Sequence, residues 1–454
     1  MKRLFGTDGV RGIVNAELTP LLVAKFALAV GAFFPEGSRL LVGRGSRAGG
    51  EAIQRIVEGA LVLSGHKVYD AGVVPTPALQ YAVKTQGFDG GVVITASHNP
   101  PEYNGIKVIG PTGIEIDRDE ERVVEEMFWE ERFRHASWRS LSERVEKYPH
   151  VNDIYVKGVL EKVDRGLIAS RGFKVLVDPA NGPGALTTPR LLRELGVKPV
   201  VINGDLSPLP ARAPEPTPES LAEAAKTAAL LKCDLGVGHD EDADRAIFID
   251  EAGAVYWGDR SAALLAKHLK VHRGERGRVY TGVSSSTVVE EVLRPLGVEV
   301  VWLKVGSVDI AHTMRKMGDA LCGFEENGGF MYPPHQYVRD GAMALALFLE
   351  LMALEKRRAS ELFGELPKYY TIKTKYPMPR EKALLVVERV KEAFRGERLG
   401  TIDGVKVISS DYWLLVRPSG TEPLLRVMLE AKTEERAKEL LEVVDGIVRE
   451  VAGP

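Results

Sequence analysis

Three short stretches of the chain carry residue types that chemistry needs. Thr95-Ala96-Ser97-His98-Asn99-Pro100 follows the apolar run Gly91-Val92-Val93-Ile94. A buried strand there delivers the Ser97 hydroxyl into a polar loop; the strand fixes the position and the loop carries the function. Asp240, Asp242 and Asp244 alternate in His239-Asp240-Glu241-Asp242-Ala243-Asp244-Arg245, directly after the strand-like Asp234-Leu235-Gly236-Val237-Gly238. Carboxylates this close raise one another's pKa unless positive charge intervenes. Their oxygen ligands suit a hard divalent cation such as Mg²⁺. The ordinary alternative is a solvated acidic turn; the strand before it and Arg245 after it favour the metal. The third stretch is Arg417-Pro418-Ser419-Gly420-Thr421-Glu422-Pro423. Ser419, Thr421 and the N–H groups around Gly420 can form an anion nest. Arg417 and Arg426 add charge, and arginine grips phosphate bidentately. A plain hairpin turn is the alternative. A hydroxyl, a carboxylate cluster and a phosphate cradle in one chain point to phosphoryl transfer.

Weaker signals accompany these. Gly323-Phe324-Glu325-Glu326-Asn327-Gly328-Gly329 sets carboxylates and an amide, groups that read adjacent hydroxyls, on a flexible backbone. Arg11 lies in the glycine-rich Phe5–Gly12 stretch, and Lys107 follows the serine loop closely; each can neutralise phosphate charge or be an ordinary surface cation. Of nine histidines only His98 stands in a chemically suggestive loop, while His239 reads as a local cap. No His/Cys spacing suggests zinc, and no Gly-x-x-x-x-Gly-Lys-Ser/Thr run occurs, which argues against a P-loop nucleotidase. Gly43-Arg44-Gly45-Ser46-Arg47-Ala48 fits a loose dinucleotide pattern with Asp70 ending the next strand, a match common by chance.

The elements that must position these loops form a repeat. Arg39–Gly43, Lys174–Asp178 and Arg278–Gly282 each read as a strand followed by a small-residue turn, a helix, and a return strand announced by glycine (Gly65, Gly196, Gly297). Their apolar strands fit sheets covered on both faces. The last part differs: Lys368–Lys375 alternates like a strand, a helix covers about Lys382–Phe394, strands Tyr412–Val416 and Leu424–Leu429 flank the Arg417 loop, and Glu434–Val451 is amphipathic. The expected fold is α/β: three similar α/β domains (1–150, 151–253, 254–366) and a C-terminal α+β domain (367–454) around a central cleft. Arg118–Lys147 reads as exposed helix and Pro208–Pro218 as a surface loop, while the helical face Ser261–Leu269 fits either a core or an interface, which leaves a homo-oligomer open.

Composition sets bounds. The chain has 454 residues, 44% apolar and 27% charged, an ordinary balance for a soluble globular protein. A net charge of -3 argues against a nucleic-acid binder. Two cysteines in apolar surroundings exclude a disulfide framework and fit a reducing compartment. No secretory h-region is evident, and Leu22–Phe34 is too short for a membrane span and contains Lys25, so the expected place is the cytoplasm.

The motifs Thr95–Pro100, Asp240–Arg245, Glu325–Gly328 and Arg417–Thr421 stand in the order of the α-D-phosphohexomutase family, which the chain resembles over essentially its full length. The resemblance implies that Ser97 is carried as phosphoserine and that Asp240, Asp242 and Asp244 hold Mg²⁺ together with its phosphate. It implies that Glu325 and Asn327 bind sugar hydroxyls. It assigns Arg417, Ser419, Gly420, Thr421 and Arg426 to the non-reacting phosphate. Arg11, His98, Lys107 and Arg245 would surround the transferring group, with Lys107 a candidate general acid/base. The implied reaction interconverts hexose 1- and 6-phosphates of mannose or glucose through a hexose 1,6-bisphosphate, which also serves as activator. Phosphoglucosamine mutase is the rival reading, and a phosphoserine-using sugar phosphatase or a non-catalytic sugar-phosphate binder stand further off. Three positions depart from the family pattern. Glu241 stands where a small residue is usual, Gly329 where many relatives carry histidine, and Gly45-Ser46 where Asp-Thr is usual.

Overall fold

The computed structural model describes residues 3–6, 8–142, 144–419 and 423–452. The first sheet holds β1 (Val10–Ile13), β2 (Arg39–Arg44), β3 (Lys67–Val73), β4 (Gly90–Ile94), β5 (Tyr103–Ile109) and β6 (Glu146–Lys147), ordered β1-β5-β4-β2-β3-β6. The second holds β7 (Lys174–Asp178), β8 (Lys198–Val201), β9 (Leu235–Gly238), β10 (Ile247–Ile249) and β11 (Val255–Tyr256), ordered β11-β10-β9-β7-β8. The third holds β12 (Arg278–Gly282), β13 (Val300–Leu303), β14 (Ala320–Phe324) and β15 (Phe330–Met331), ordered β13-β12-β14-β15. The fourth, all antiparallel, holds β16 (Tyr370–Pro377), β17 (Arg398–Gly400), β18 (Val405–Ile408), β19 (Tyr412–Pro418) and β20 (Leu424–Ala431), ordered β16-β20-β19-β18-β17.

The first three sheets share one plan. The runs β3-β2-β4-β5, β8-β7-β9-β10 and β13-β12-β14-β15 are each three parallel strands followed by one antiparallel strand. The repeat legible in the sequence is this plan. Central strands are buried throughout, as β4 is at every residue, because helices cover both faces. Gly65, Gly196 and Gly297 lie at φ +89°, +74° and +68°, the left-handed conformation that closes a helix before the chain returns to the sheet.

The consequence for function lies in one connection. The segment from the third parallel strand to the antiparallel strand carries Ser97 in the first unit, the aspartate triplet in the second and Glu325 with Asn327 in the third. Each leaves the carboxyl end of a buried strand, where ligands bind in open α/β sheets. A continuous apolar core joins all three units, from Leu41 and Leu79 through Val156 and Leu191 to Phe248 and Phe348, whose rings stack at 4.6 Å. The face Ser261–Leu269 belongs to this core: Ala262–Ala266, His268 and Leu269 are buried. Among the described residues no helix is long and apolar enough to cross a membrane.

Two expectations need correction. Arg118–Lys147 is not one helix; the helix spans Arg118–Trp129 and stops where Glu131 takes a left-handed φ of 54°. The chain then crosses the end of helix Pro20–Phe33, where Arg134 donates to the carbonyls of Gly31, Ala32 and Phe34. Cation and donors there satisfy the orphan carbonyls of the helix end. The Pro208–Pro218 loop is more than surface. Arg212 reaches inward to Asp178 (2.9 Å) and the His239 carbonyl (2.6 Å), and Glu215 meets Arg245 at 3.3 Å.

The C-terminal unit packs helices Arg380–Ala393 and Glu434–Ala452 on its sheet around its own core. It docks on the third unit through Lys406, whose ammonium donates to the carbonyls of Val283 (2.8 Å) and Ser285 (2.9 Å) between the rings of Trp302 and Trp413. Glu430 completes the joint, accepting from Arg260 (2.9 Å), Thr371 (2.9 Å), Trp413 Nε1 (2.8 Å) and Ser286. Glu430→Ala strands these buried donors and should cost about 3–5 kcal/mol. Denaturant unfolding measures that loss, and hydrogen exchange should show β19 and β20 opening before the first three sheets.

Candidate active site

Ser97 is fully buried and sits at φ 50°, a left-handed backbone costing about 1–3 kcal/mol for a residue with a side chain. Surrounding contacts hold it there. Ser97 N donates to Thr95 Oγ1 (2.9 Å), and Arg47 donates to the carbonyls of Ser97 and Asn99 (both 2.7 Å), Pro100 (2.7 Å) and Tyr103 (2.9 Å). This geometry aims Ser97 Oγ at Asp240 Oδ2, 2.6 Å away in the second unit. The serine loop and the acidic loop are therefore in direct contact.

Asp240, Asp242 and Asp244 are all buried, and one ligand oxygen from each lies within 4.8 Å of the others. Asp242 Oδ2 accepts from Thr76 Oγ1 (2.7 Å), while Asp242 Oδ1 and Asp244 Oδ1 are buried without a hydrogen-bond partner. Burial first, then the neighbouring Asp244 and Asp242, push the Asp240 carboxyl well above its usual range. Converging, under-satisfied oxygens of this kind fit a hard divalent cation, which would draw on Asp240, Asp242, Asp244 and the Ser97 oxygen.

Cations ring the cluster. Lys107 Nζ meets Asp8 (2.9 Å), Asp242 (3.3 Å) and Asp244 (3.6 Å). Burial disfavours its charge, but Asp242, Asp8 and Asp244 outweigh burial and hold it protonated. Strand register explains the placement: β1 pairs with β5 at Arg11↔Gly105 and β4 with β5 at Val93↔Lys107, so both cations and the exit of β4 lie together. Arg11 bonds Asn99 (2.7 Å) and Asp8 (3.0 Å). Arg245 donates to His98 Nδ1 at 2.8 Å, and that nitrogen stands 3.4 Å from Ser97 Oγ. Burial, then Arg245 and Arg11, keep His98 neutral. His239 is the structural group expected, bridging the Arg245 carbonyl (2.7 Å) and Thr188 (3.0 Å).

Glu325 joins the cluster through Arg339, a residue the sequence reading did not single out. Arg339 reaches Glu325 (3.1 Å), Asp244 (2.6 Å) and Asp8 (3.0 Å). A Cβ on Gly329 would lie 2.8 Å from Arg339 Cγ, so glycine stands there to admit the arginine. Asn327 turns into its own loop, accepting from Gly329 N at 3.2 Å. Asp8, Arg47 and Thr76 were likewise missed as site residues; each acts on a partner distant in sequence, and while Asp8 and Arg47 stood in stretches already singled out, Thr76 stood in none.

The cradle lies in the fourth sheet. Lys375, Arg426 and Arg417 are direct cross-strand neighbours on β16, β20 and β19, which places three cations in a row on one face. Like charges so placed repel unless anions intervene; Asp403 supplies one at 3.0 Å from Arg417. Ser419 N bonds Leu424 O at 2.7 Å, closing the turn. Gly420 and Thr421 lie outside the described residues. The dinucleotide-like Gly43–Ala48 turn serves another purpose: Ser46 and Arg47 bind Glu241.

Removing Arg339 would leave Asp8, Asp244 and Glu325 short of a buried counter-charge. Arg339→Ala should cost about 3–5 kcal/mol in chemical unfolding, and Arg339→Lys, with charge but no fork, should recover only part.

Comparison with known proteins agrees with this geometry. Four phosphoglucomutase/phosphomannomutase models match in succession: alpha/beta/alpha domain I over residues 2–135, domain II over 153–253, domain III over 257–370 and the C-terminal domain over 374–447. A phosphoglucosamine/phosphogalactosamine mutase of Sulfurisphaera tokodaii is 54% identical over 455 residues, 99% of each chain. A phosphoglucomutase/phosphomannomutase of Thermococcus kodakarensis is 40% identical, with 98% of each chain covered. The crystal structure of a phosphoglucomutase/phosphomannomutase family protein from Burkholderia thailandensis has the same fold, with a TM-score of 0.86 at 24% identity over 98% of this chain and 97% of that one. The chain belongs to the α-D-phosphohexomutase family, enzymes that move a phosphoryl group between positions of a hexose phosphate.

Proposed function

We propose that this enzyme is a Mg²⁺-dependent mutase of hexosamine phosphates, working through phosphoserine at Ser97 and a hexosamine 1,6-bisphosphate. The observation that carries the mechanism is the 2.6 Å approach of Ser97 Oγ to Asp240, within an all-oxygen triplet and a ring of cations. The 54% identical relative named for glucosamine and galactosamine phosphates supports the substrate class. Glucose and mannose phosphates, expected from the motifs alone, are the second reading, favoured by the 40% identical relative.

Phosphoserine carries about -1.5 to -2 charges at neutral pH. A sugar phosphate nearing it is repelled, so the cations must already be in place, and positioning with charge stabilisation supplies most of the catalysis. A metal ion bound at the triplet would supply electrostatic stabilisation to the phosphoryl oxygens. Lys107, Arg11 and Arg245 meet those oxygens from the other sides. A sugar hydroxyl oxygen attacks the Ser97 phosphorus, the serine O–P bond breaks, and the hydroxyl proton ends on the departing Ser97 Oγ as the new ester forms. The bisphosphate then reorients, and Ser97 Oγ recovers the phosphoryl from the other position. Lys107, held charged, serves as the hydrogen-bond donor to the sugar oxygen. The Arg417, Ser419 and Arg426 cradle grips whichever phosphate is not reacting, with Glu325 and Asn327 toward the ring.

Ser97→Ala should lose phosphate incorporation, followed by mass, and lower turnover by about a thousandfold or more. Chelation should abolish turnover and added Mg²⁺ restore it. In a panel of glucosamine, glucose and mannose 1-phosphates with catalytic hexose bisphosphate, kcat/KM should be highest for glucosamine. A preference for glucose or mannose would favour the second reading, and net phosphate release would instead indicate a phosphatase.

A further inference from the structure

Glu241, the carboxylate between two of the aspartates, takes no part in their cluster. It is buried, and both its oxygens are used by the first unit: Oε1 accepts from Ser46 N (2.9 Å) and Ser46 Oγ (3.3 Å), and Oε2 from Arg47 Nε (3.1 Å) and Thr95 Oγ1 (3.2 Å). Arg47 in turn holds the carbonyls of Ser97, Asn99, Pro100 and Tyr103. The acidic loop thus grips the serine loop through one carboxylate and one guanidinium. Its own backbone is fixed from the other side, where a Cβ on Gly182 would lie 2.8 Å from the Glu241 carbonyl carbon.

Gly45 supplies the complementary observation. A Cβ there would lie 3.0 Å from Glu241 Cδ and closer still to Oε1. Its backbone is not in the left-handed region, so the conformation admits a side chain and only the space does not. The two departures from the family pattern, an acid at 241 and a glycine at 45, therefore occupy one site.

We propose that Glu241 is a positioning residue that keeps the serine loop in register with the aspartate triplet, and that Gly45 is glycine because this carboxylate fills its side-chain space. The pair forms an interlock between the first and second units. Without it Arg47 loses its counter-charge, and the strained Ser97 backbone loses the group that orients its clamp. The inference rests on the mutase reading only where its effect is read as turnover.

The test compares Glu241→Ala, Glu241→Gln, Gly45→Ala and the double variant Glu241→Ala/Gly45→Ala. Glu241→Ala should lower kcat and the rate of Ser97 phosphorylation by glucose 1,6-bisphosphate about 10- to 100-fold, the scale of a small misplacement of reacting groups. KM for the sugar phosphate should stay within about threefold, since its cradle is in another sheet. Glu241→Gln, which keeps an acceptor for Ser46 and Thr95, should recover part of the loss. Gly45→Ala should reproduce the Glu241→Ala phenotype, and the double variant should be no worse than Glu241→Ala alone, because the obstructing carboxylate is gone. Wild-type kcat and phosphorylation rate in Glu241→Ala, even with a lowered Tm, would overturn the positioning role. Additive losses in the double variant would overturn the shared-space argument. If the wild-type protein turns over no sugar phosphate, the mutase reading fails separately, while the same four proteins compared by thermal unfolding still decide the interlock by additivity or its absence.

Discussion

The structure depends on neutralising a buried knot of charge. Asp8, Asp240, Asp242, Asp244 and Glu325 are all withdrawn from water, as are Lys107, Arg245 and Arg339. Buried ions are tolerable only when paired with good geometry. The second unit sets three of these carboxylates against Arg245 alone, and its closer cations, Lys107 and Arg339, arrive from the other two units. Asp8 and Lys107 come from the first unit, the triplet and Arg245 from the second, Glu325 and Arg339 from the third. Balancing the charge therefore forces three units to meet, and the apolar core shared by them makes that meeting rigid. In the proposed reaction the stabilising and catalytic requirements coincide, because converging carboxylates ringed by cations would also hold a divalent cation beside a transferring phosphoryl group.

Repetition of one topology makes such a meeting economical. Each unit sends the same connection, from its third parallel strand to an antiparallel partner, out of the carboxyl end of its sheet. One such loop holds the Ser97 hydroxyl, the next the three converging aspartates, the third Glu325 and Asn327. A fourth sheet of different build presents cations in a row from adjacent strands, which suits an anion gripped from outside the reacting centre. The proposed reaction would divide labour along this geometry, with the convergent, buried centre for the group that moves and the separate row of cations for the group that stays.

Much of this was legible in the sequence because its signals are local. Strand–turn–helix–strand periodicity depends on neighbouring residues, as do the glycines at helix ends, and the catalytic loops sit within single motifs. The Arg118–Lys147 stretch misled because charge density resembles an exposed helix, whereas Arg134 is drawn out to serve the end of another helix. Arg339 was invisible for the opposite reason. Its partners at positions 8, 244 and 325 are scattered, and nothing in Val338-Arg339-Asp340 marks it apart from any other arginine. Arg212 and Glu215 were lost among prolines for the same cause.

Gly45, Glu241 and Gly329, set apart in the sequence by their departure from the family pattern, are explained by packing in this structure. Read singly, Gly45 is a structural detail, Gly329 lacks a side chain that many relatives carry, and Glu241 adds a carboxylate beside the aspartates. In three dimensions each glycine is the space that a long charged side chain occupies: Glu241 comes to Gly45 from the second unit, and Arg339 to Gly329 from along its own. Each of these side chains completes a pairing that the buried charges require, one with Arg47, the other with Asp244 and Glu325. Close packing couples the two members of each pair, since a side chain at the glycine would collide with the charged group, and loss of the charged group would leave a cavity. At both places charge and volume are thus set by a contacting pair, and neither residue can be read without the other.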